Sequence, residues 1–178
     1  MANPTFLVLT VIGDDRPGLL GELSAVISAH EGSWLESSMA QLAGKFAGIV
    51  KVGVPTERAV GLQHALGNID GQKVTWVSCG GNSAPNPAIK SRRLKLALVG
   101  HDRIGIVREV SQVLARHAVN VESLETHTSS APMSADTLFH ATAELTASST
   151  LDASALTREL ERLSNDLMVD VTLDETLN

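Results

Sequence analysis

The chain has no tyrosine, and its two tryptophans and three phenylalanines leave an aromatic content of 3% over 178 residues. So few rings argue against a base-stacking platform for single-stranded nucleic acid. Cys79 is its one cysteine, which excludes an internal disulfide and a cysteine-built metal cluster and fits a reducing compartment. Positive charge is also short: 14 Lys and Arg stand against 20 Asp and Glu, a formal net charge of -6. Counted either side of Ala88/Ile89, the halves carry 5 basic and 7 acidic residues, then 9 and 13. Neither half has the basic excess that phosphate tracking needs. The local cluster Lys90, Arg92, Arg93 and Lys95 reads as a solvated linker end. Long apolar runs are missing as well. "MANPTFLVLTVIG" has no basic n-region and is too short for a signal peptide or a membrane span. The expectation is a soluble, cytoplasmic protein.

What is present suits a packed core: 43% hydrophobic and 19% charged residues, in a length that fits one medium domain or two small ones. A shift of 87 residues lays Gly13–Gly32 on Gly100–Val119, with eight of those twenty positions identical. They are Gly13/Gly100, Asp15/Asp102, Arg16/Arg103, Gly18/Gly105, Glu22/Glu109, Ser24/Ser111, Val26/Val113 and His30/His117. A period near ninety residues is far too long for a solenoid. It marks a duplicated domain.

Both copies read alike. "TFLVLTVIG" and "RLKLALVG" are branched apolar runs ending at glycine, as strands do. A polar corner follows, and then an apolar stripe at helical spacing: Leu19, Leu20, Leu23, Val26 and Ile27, matched by Ile106, Val107, Val110, Val113 and Leu114. Two strand-like stretches come next. "WLESSMAQL" and "FAGIVKVGV" flank the short loop Ala43-Gly44-Lys45, whereas "VESLETHT" and "TLFHATAELT" flank the longer "SSAPMSAD". A second helix carries Leu62, Leu66 and Ile69, matched by Leu156, Leu160 and Leu163. That offset is 94, so the second copy has gained 94 − 87 = 7 residues, most of them expected in the longer hairpin. "KVTWVSC" and "LMVDVTL" close the units as strands. The predicted fold is α+β: two ferredoxin-like βαββαβ domains, each an antiparallel sheet with both helices on one face. Their expected bounds are residues 1–80 and 93–178, joined by a linker over 81–92 that is rich in Gly, Pro, Asn and Ser.

The corners "GDDRPGLLGEL" and "GHDRIGIVREV" carry the chemistry. Asp15 is positioned to cap the helix, Pro17 suits its first turn, and Gly18 leaves the backbone open to close approach. First-turn amides and the helix dipole attract an anion such as a carboxylate. In the second copy Asp102 and Gly105 remain, and Ile104 replaces the proline. Duplication of a folding unit accounts for the repeated corner equally well.

"GDDRPGLLGELSAVI" resembles the strand-to-helix signature of ACT domains, small regulatory modules that typically bind amino acids. Two such domains filling nearly the whole chain resemble the glycine cleavage system transcriptional repressor family. The resemblance implies a ligand at an interface between domains, touching the loop after the first strand and the start of the second. In the first copy it points to Gly13, Asp14, Asp15, Arg16, Gly18 and Leu19. In the second it points to Gly100, Asp102, Arg103, Gly105 and Ile106. Asn120 fits the asparagine that the family often has before the second strand, and its counterpart in the first copy is Ser33.

Other residues carry weaker signals. His30 and His117 end the first helix of each copy, where helix ending or packing suits them better than catalysis. His101, His127 and His140 match no ligand motif, so no metal is expected. Cys79 lacks a positioned base, no nucleotide fingerprint is present, and Trp34 and Trp76 suit a core or an interface. The implied function is a non-catalytic regulator without a cofactor. It would sense an amino acid such as glycine and act on gene expression through a partner protein, in the resembled family a DNA-binding activator. No helix-turn-helix segment favours direct DNA contact. The alternative is a regulatory subunit giving feedback control of a metabolic enzyme. An enzyme is disfavoured, because no acid, base and nucleophile can be matched and "LDETLN" leaves no room for a catalytic domain. Edge strands of such sheets pair readily, and a homodimer is expected.

Overall fold

A computed structural model of the chain describes residues 4–79, 91–131, 136–167 and 169–176. These fall into two compact units on either side of the segment 80–90. The expected linker lies outside the described residues up to position 90, and Ser91 and Arg92 already belong to a strand.

In the first unit, β1 (Pro4–Asp14) leads through the corner into α1 (Leu19–Ala29), then β2 (Ser33–Leu42), β3 (Lys45–Pro55), α2 (Thr56–Leu66) and β4 (Gln72–Cys79). The second unit repeats this as β5 (Ser91–His101), α3 (Ile106–Arg116), β6 (Asn120–Ser130), β7 (Thr137–Ser148), α4 (Ala153–Leu167) and β8 (Val169–Thr176). The sheet orders are β2-β3-β1-β4 and β6-β7-β5-β8, and the pairings are antiparallel. The split βαββαβ arrangement follows from alternation along the central strands. Leu7, Leu9 and Val11 of β1 are fully buried under the helices, and Leu94, Leu96 and Leu98 of β5 do the same in the second unit. Burying a leucine of this kind stabilises by about 1.5–3 kcal/mol before entropy is counted.

The repeat extends to the irregularities. Both β2 and β6 slip register at equivalent points, between Trp34 and Glu36 and between Val121 and Ser123. Ala43 and Gly44 both have positive φ (51° and 76°), which makes the first hairpin a tight two-residue turn. Phe46 faces Gly13 and Phe139 faces Gly100, an offset of 139 − 46 = 93. Six of the seven extra residues therefore lie in the longer hairpin, as expected.

One expectation about the helices fails. Leu20 and Val107 belong to the predicted core stripe, yet they are 48% and 43% exposed. The sheet covers a narrower arc of each helix than the full stripe. Leu19, Leu23 and Ile27 fill that arc in α1; Ile106, Val110, Val113 and Leu114 fill it in α3.

Candidate functional site

The strand-to-helix corner folds differently from its sequence reading. α1 begins at Leu19, and its N-cap is Gly18 with φ 90°; α3 begins at Ile106 after Gly105 with φ 100°. A left-handed N-cap is a glycine position, since a Cβ there costs about 1–2 kcal/mol. Asp15 therefore caps nothing, and no side chain caps either helix. Pro17 precedes the helix instead of occupying its first turn. Asp15 and Asp102 serve the corner through their backbones: their amides donate to the Gly44 carbonyl at 2.9 Å and the Thr137 carbonyl at 2.8 Å. The corner is thereby tied to the hairpin.

Arg16 turns back across the helix start. Its Nη1 and Nη2 donate to the two carboxylate oxygens of Glu22 at 2.7 and 2.6 Å, and Nη2 also reaches the Asp70 carbonyl at 3.3 Å. That fork holds the Glu22 carboxyl below its ordinary pKa. Arg103 reaches Glu109 through Nη2 alone, which donates to both carboxylate oxygens at 3.3 Å. Sequence reasoning missed these glutamates, although Arg16, Glu22 and their counterparts all sit among the identical repeat positions. Each arginine is already neutralised, so the donors left facing an anion are first-turn amides.

Other named residues divide by role. Gly13 and Gly100 serve close packing: a Cβ on Gly13 would lie 2.7 Å from the Gly71 carbonyl oxygen, and one on Gly100 only 2.1 Å from Val169 Cγ1. Leu19 and Ile106 are buried in the core, so only their backbones face the corner. Asp14 is paired with Lys45, which lowers its pKa through a side-chain hydrogen bond and charge attraction. Ser33 stands apart: it pairs with Gly53, whose β1 partner is Phe6, eight positions from Asp14. At about 3.3 Å per residue, that is roughly 26 Å from its own corner. Asn120, at the start of β6, is placed equivalently. Within one unit the two parts of the expected site lie at opposite ends.

The surroundings of the two corners differ. In the first unit a crevice of about 240 Å³ is lined by Asp15, Arg16, Gly18, Leu19, Leu20, Gly21 and Phe46. Beside it, sharing Leu20, Gly21 and Phe46, runs an open groove of about 740 Å³ that includes Ser24, Trp34, Ser37 and Met39. Gln72, opposite Gly13, donates from Nε2 to the Leu19 carbonyl at 3.3 Å; its buried Oε1 has no hydrogen-bond partner. In the second unit Leu124 stands where Ser37 does, Val121 replaces Trp34, and Val169 occupies the place of Gln72. Packing there leaves an apolar pocket of about 40 Å³, lined by Ile106, Val107, Leu124 and Phe139 among others. That is too small for an amino acid.

The repeated histidines tie helices together. His30 Nδ1 is bonded to the Val26 carbonyl at 2.9 Å, and its ring lies against Gly61 of α2. His117 Nε2 meets Glu159 of α4 at 2.7 Å. His127 and His140 stack with ring centroids 4.5 Å apart. Among the described residues no cluster of three or more His, Cys, Asp or Glu could hold a metal, and no helix is long and apolar enough to cross a membrane.

Residues 5–71 match one ACT-domain model, and residues 96–163 match a second. The chain is a tandem ACT-domain protein. ACT domains are regulatory modules that typically bind small amino-acid ligands. Among solved structures, a protein of unknown function from Galdieria sulphuraria is similar over 98% of this chain and 100% of its own, at 28% identity and a TM-score of 0.83. A protein provisionally assigned as a glycine cleavage system transcriptional repressor is similar over 98% and 99%, at 18% identity and a TM-score of 0.68. At that identity the second likeness concerns the fold. No curated protein matches the chain.

Proposed function

We propose that this protein is a non-catalytic, cytoplasmic regulator that senses a small amino acid, glycine among the candidates, and passes the signal to a partner protein. The observation that carries this reading is the uncapped start of α1, opening on a crevice of about 240 Å³. The Leu19 amide donates to the Arg16 carbonyl at 3.4 Å, and the remaining first-turn amides at the positive end of the helix suit a carboxylate. Asp15, Arg16, Gly18 and Leu19 line this site, and Gly13 and Asp14 lead into it from the end of β1.

Gly100, Asp102, Arg103, Gly105 and Ile106 frame the second corner, where the pocket of about 40 Å³ beside Ile106 favours a structural role. Ser33 and Asn120 lie outside the corner of their own unit and are not part of this site. The partner in this reading is a DNA-binding activator, as the likeness to the repressor family suggests. Regulation of a metabolic enzyme rests on the same modules, and affinity capture separates the two by what it recovers. Either way, the ligand shifts a two-state arrangement by no more than its difference in affinity for the states.

The test is calorimetric titration of the full chain with glycine and each other amino acid, alongside Gly18→Leu. A Cβ on Gly18, which lines the crevice, meets nothing within 4 Å, so the leucine strains the φ of 90° but clashes with no core atom. Binding by the wild type and its loss in the folded variant are expected. Equal affinity in the variant removes the corner from the site, and no heat with any amino acid defeats the sensing reading.

A further inference from the structure

Gly21 is the third residue of α1, and nothing within its own fold calls for a glycine there. Its φ is not positive, and a Cβ added to it would meet no atom within 4 Å. Inside a helix glycine is less stable than alanine, because the unfolded chain gives up more freedom and no side chain packs in return. The second unit has Arg108 at the equivalent place. What sets Gly21 apart is its surroundings: it lines both the crevice at the helix start and the open groove of about 740 Å³ beside it. Bare backbone at the junction of two spaces lets a ligand lie close against the helix.

The groove has a definite character. Trp34 and Phe46 are two of only five aromatic rings in the chain, and both line it together with Met39 and the half-exposed Leu20. None of its lining residues is charged, and the Ser24 hydroxyl is already donated to the Gly21 carbonyl at 2.9 Å. An acidic or basic side chain would leave water there without gaining a partner. The size falls within the range of small-molecule sites, which are mostly apolar with a few polar groups to fix orientation. Here the polar end is the crevice at the first-turn amides of α1, which shares Leu20, Gly21 and Phe46 with the groove. A glycine seated on those amides has no side chain to reach the apolar part.

We propose that this groove is the side-chain subsite of the ligand, a choice that rests on the amino-acid reading of the α1 corner and turns it away from glycine. The sensed molecule is then an amino acid with a bulky apolar side chain, of leucine, methionine or phenylalanine size. Gly21 determines specificity by keeping helix and ligand close enough for that side chain to lie along Leu20, Trp34 and Met39. The second unit lacks the subsite, because Arg108, Val121 and Leu124 stand in place of Gly21, Trp34 and Ser37.

Titration of the full chain with glycine, alanine, aspartate, leucine, methionine and phenylalanine tests it, read by heat and by tryptophan emission. The emission arm uses Trp76→Phe, which leaves Trp34 as the one tryptophan. The bulky apolar amino acids should bind at least about ten-fold tighter than glycine or alanine, the discrimination that apolar pockets give. They should also shift Trp34 emission to the blue as water leaves the groove. Gly21→Ala should raise the urea midpoint while weakening leucine at least about ten-fold, whereas a merely structural glycine would raise the midpoint alone. Ser37→Leu, which supplies the leucine of the second unit, should abolish the preference over glycine. Glycine or aspartate binding as tightly as leucine overturns the subsite and leaves the corner standing as an amino-acid site. No binding by any of them defeats that reading as well. Leucine binding that leaves Trp34 emission unmoved, or that Gly21→Ala does not weaken, puts the side chain elsewhere and overturns the proposal. Emission that moves with protein concentration in the absence of ligand gives the groove to a second chain and overturns it too.

Discussion

Gly18 and Gly105 hold φ values of 90° and 100°, and each carries its helix start without any capping side chain. Gly105→Ala should therefore destabilise the second unit by about 1–2 kcal/mol through backbone strain alone. The space beside it is open, the nearest atom being Glu109 Oε1 at 3.6 Å from an added Cβ. A fall in the urea midpoint with an unchanged slope would check it. Ala118 is the converse, a non-glycine at φ 53° just after α3, so Ala118→Gly should add up to about 1 kcal/mol of stability and raise the midpoint. At this scale the sequence misled on one point. Asp15 has the right chemistry for a cap, but a list of residues does not reveal which one starts the helix. Only the left-handed glycine settles that. The Arg16–Glu22 pair was hidden for a related reason: a spacing of six is not a helical neighbour distance, and the pair forms because Arg16 folds back from outside the helix.

Between elements, the repeated sequence gives unequal results. Serine at 37 leaves the groove beside α1 open, and leucine at 124 helps to close its counterpart beside α3. Ser37→Leu should thus reduce amino-acid binding at the first corner while leaving thermal stability within about 0.5 kcal/mol, as expected for an exposed site. Titration paired with a melting curve would show both. The helix pairs add a pH dependence. Glu159 of α4 is held below its ordinary carboxylate pKa, first by the hydrogen bond from His117 and then by that from Arg116. A carboxyl with a lowered folded pKa contributes stability above its unfolded value of about 4.5. That contribution fades as pH falls through the lower folded value. Glu159→Gln should be less stable than wild type at neutral pH, and the gap should close in acid. A difference that stays constant down to strongly acidic pH would assign the effect to packing.

Taken as a whole, the molecule is one fold written twice, with an independent core in each copy. Leu62 and Leu156 are both fully buried, at equivalent places in α2 and α4. Replacing either by alanine should cost about 2–5 kcal/mol, charged to the unit that contains it. Hydrogen exchange that accelerates in one unit's amides and spares the other's would show the separation. The second copy buries Val169 where the first keeps Gln72, and it sets the half-exposed Leu124 where the first has Ser37 and an open groove, a difference that suits one sensing unit and one structural unit.

The sequence alone determined the element order, the duplication and the location of the inserted hairpin residues. Those features are set by local rules: alternation of two along a strand, a period near 3.6 along a helix, and glycine where the backbone must turn. Only the tertiary structure decided which side of each helix stays uncovered, which arginine is already neutralised, and which corner keeps an open groove. Each of these depends on register between segments far apart in the chain, where one residue of slip exchanges the inside for the outside.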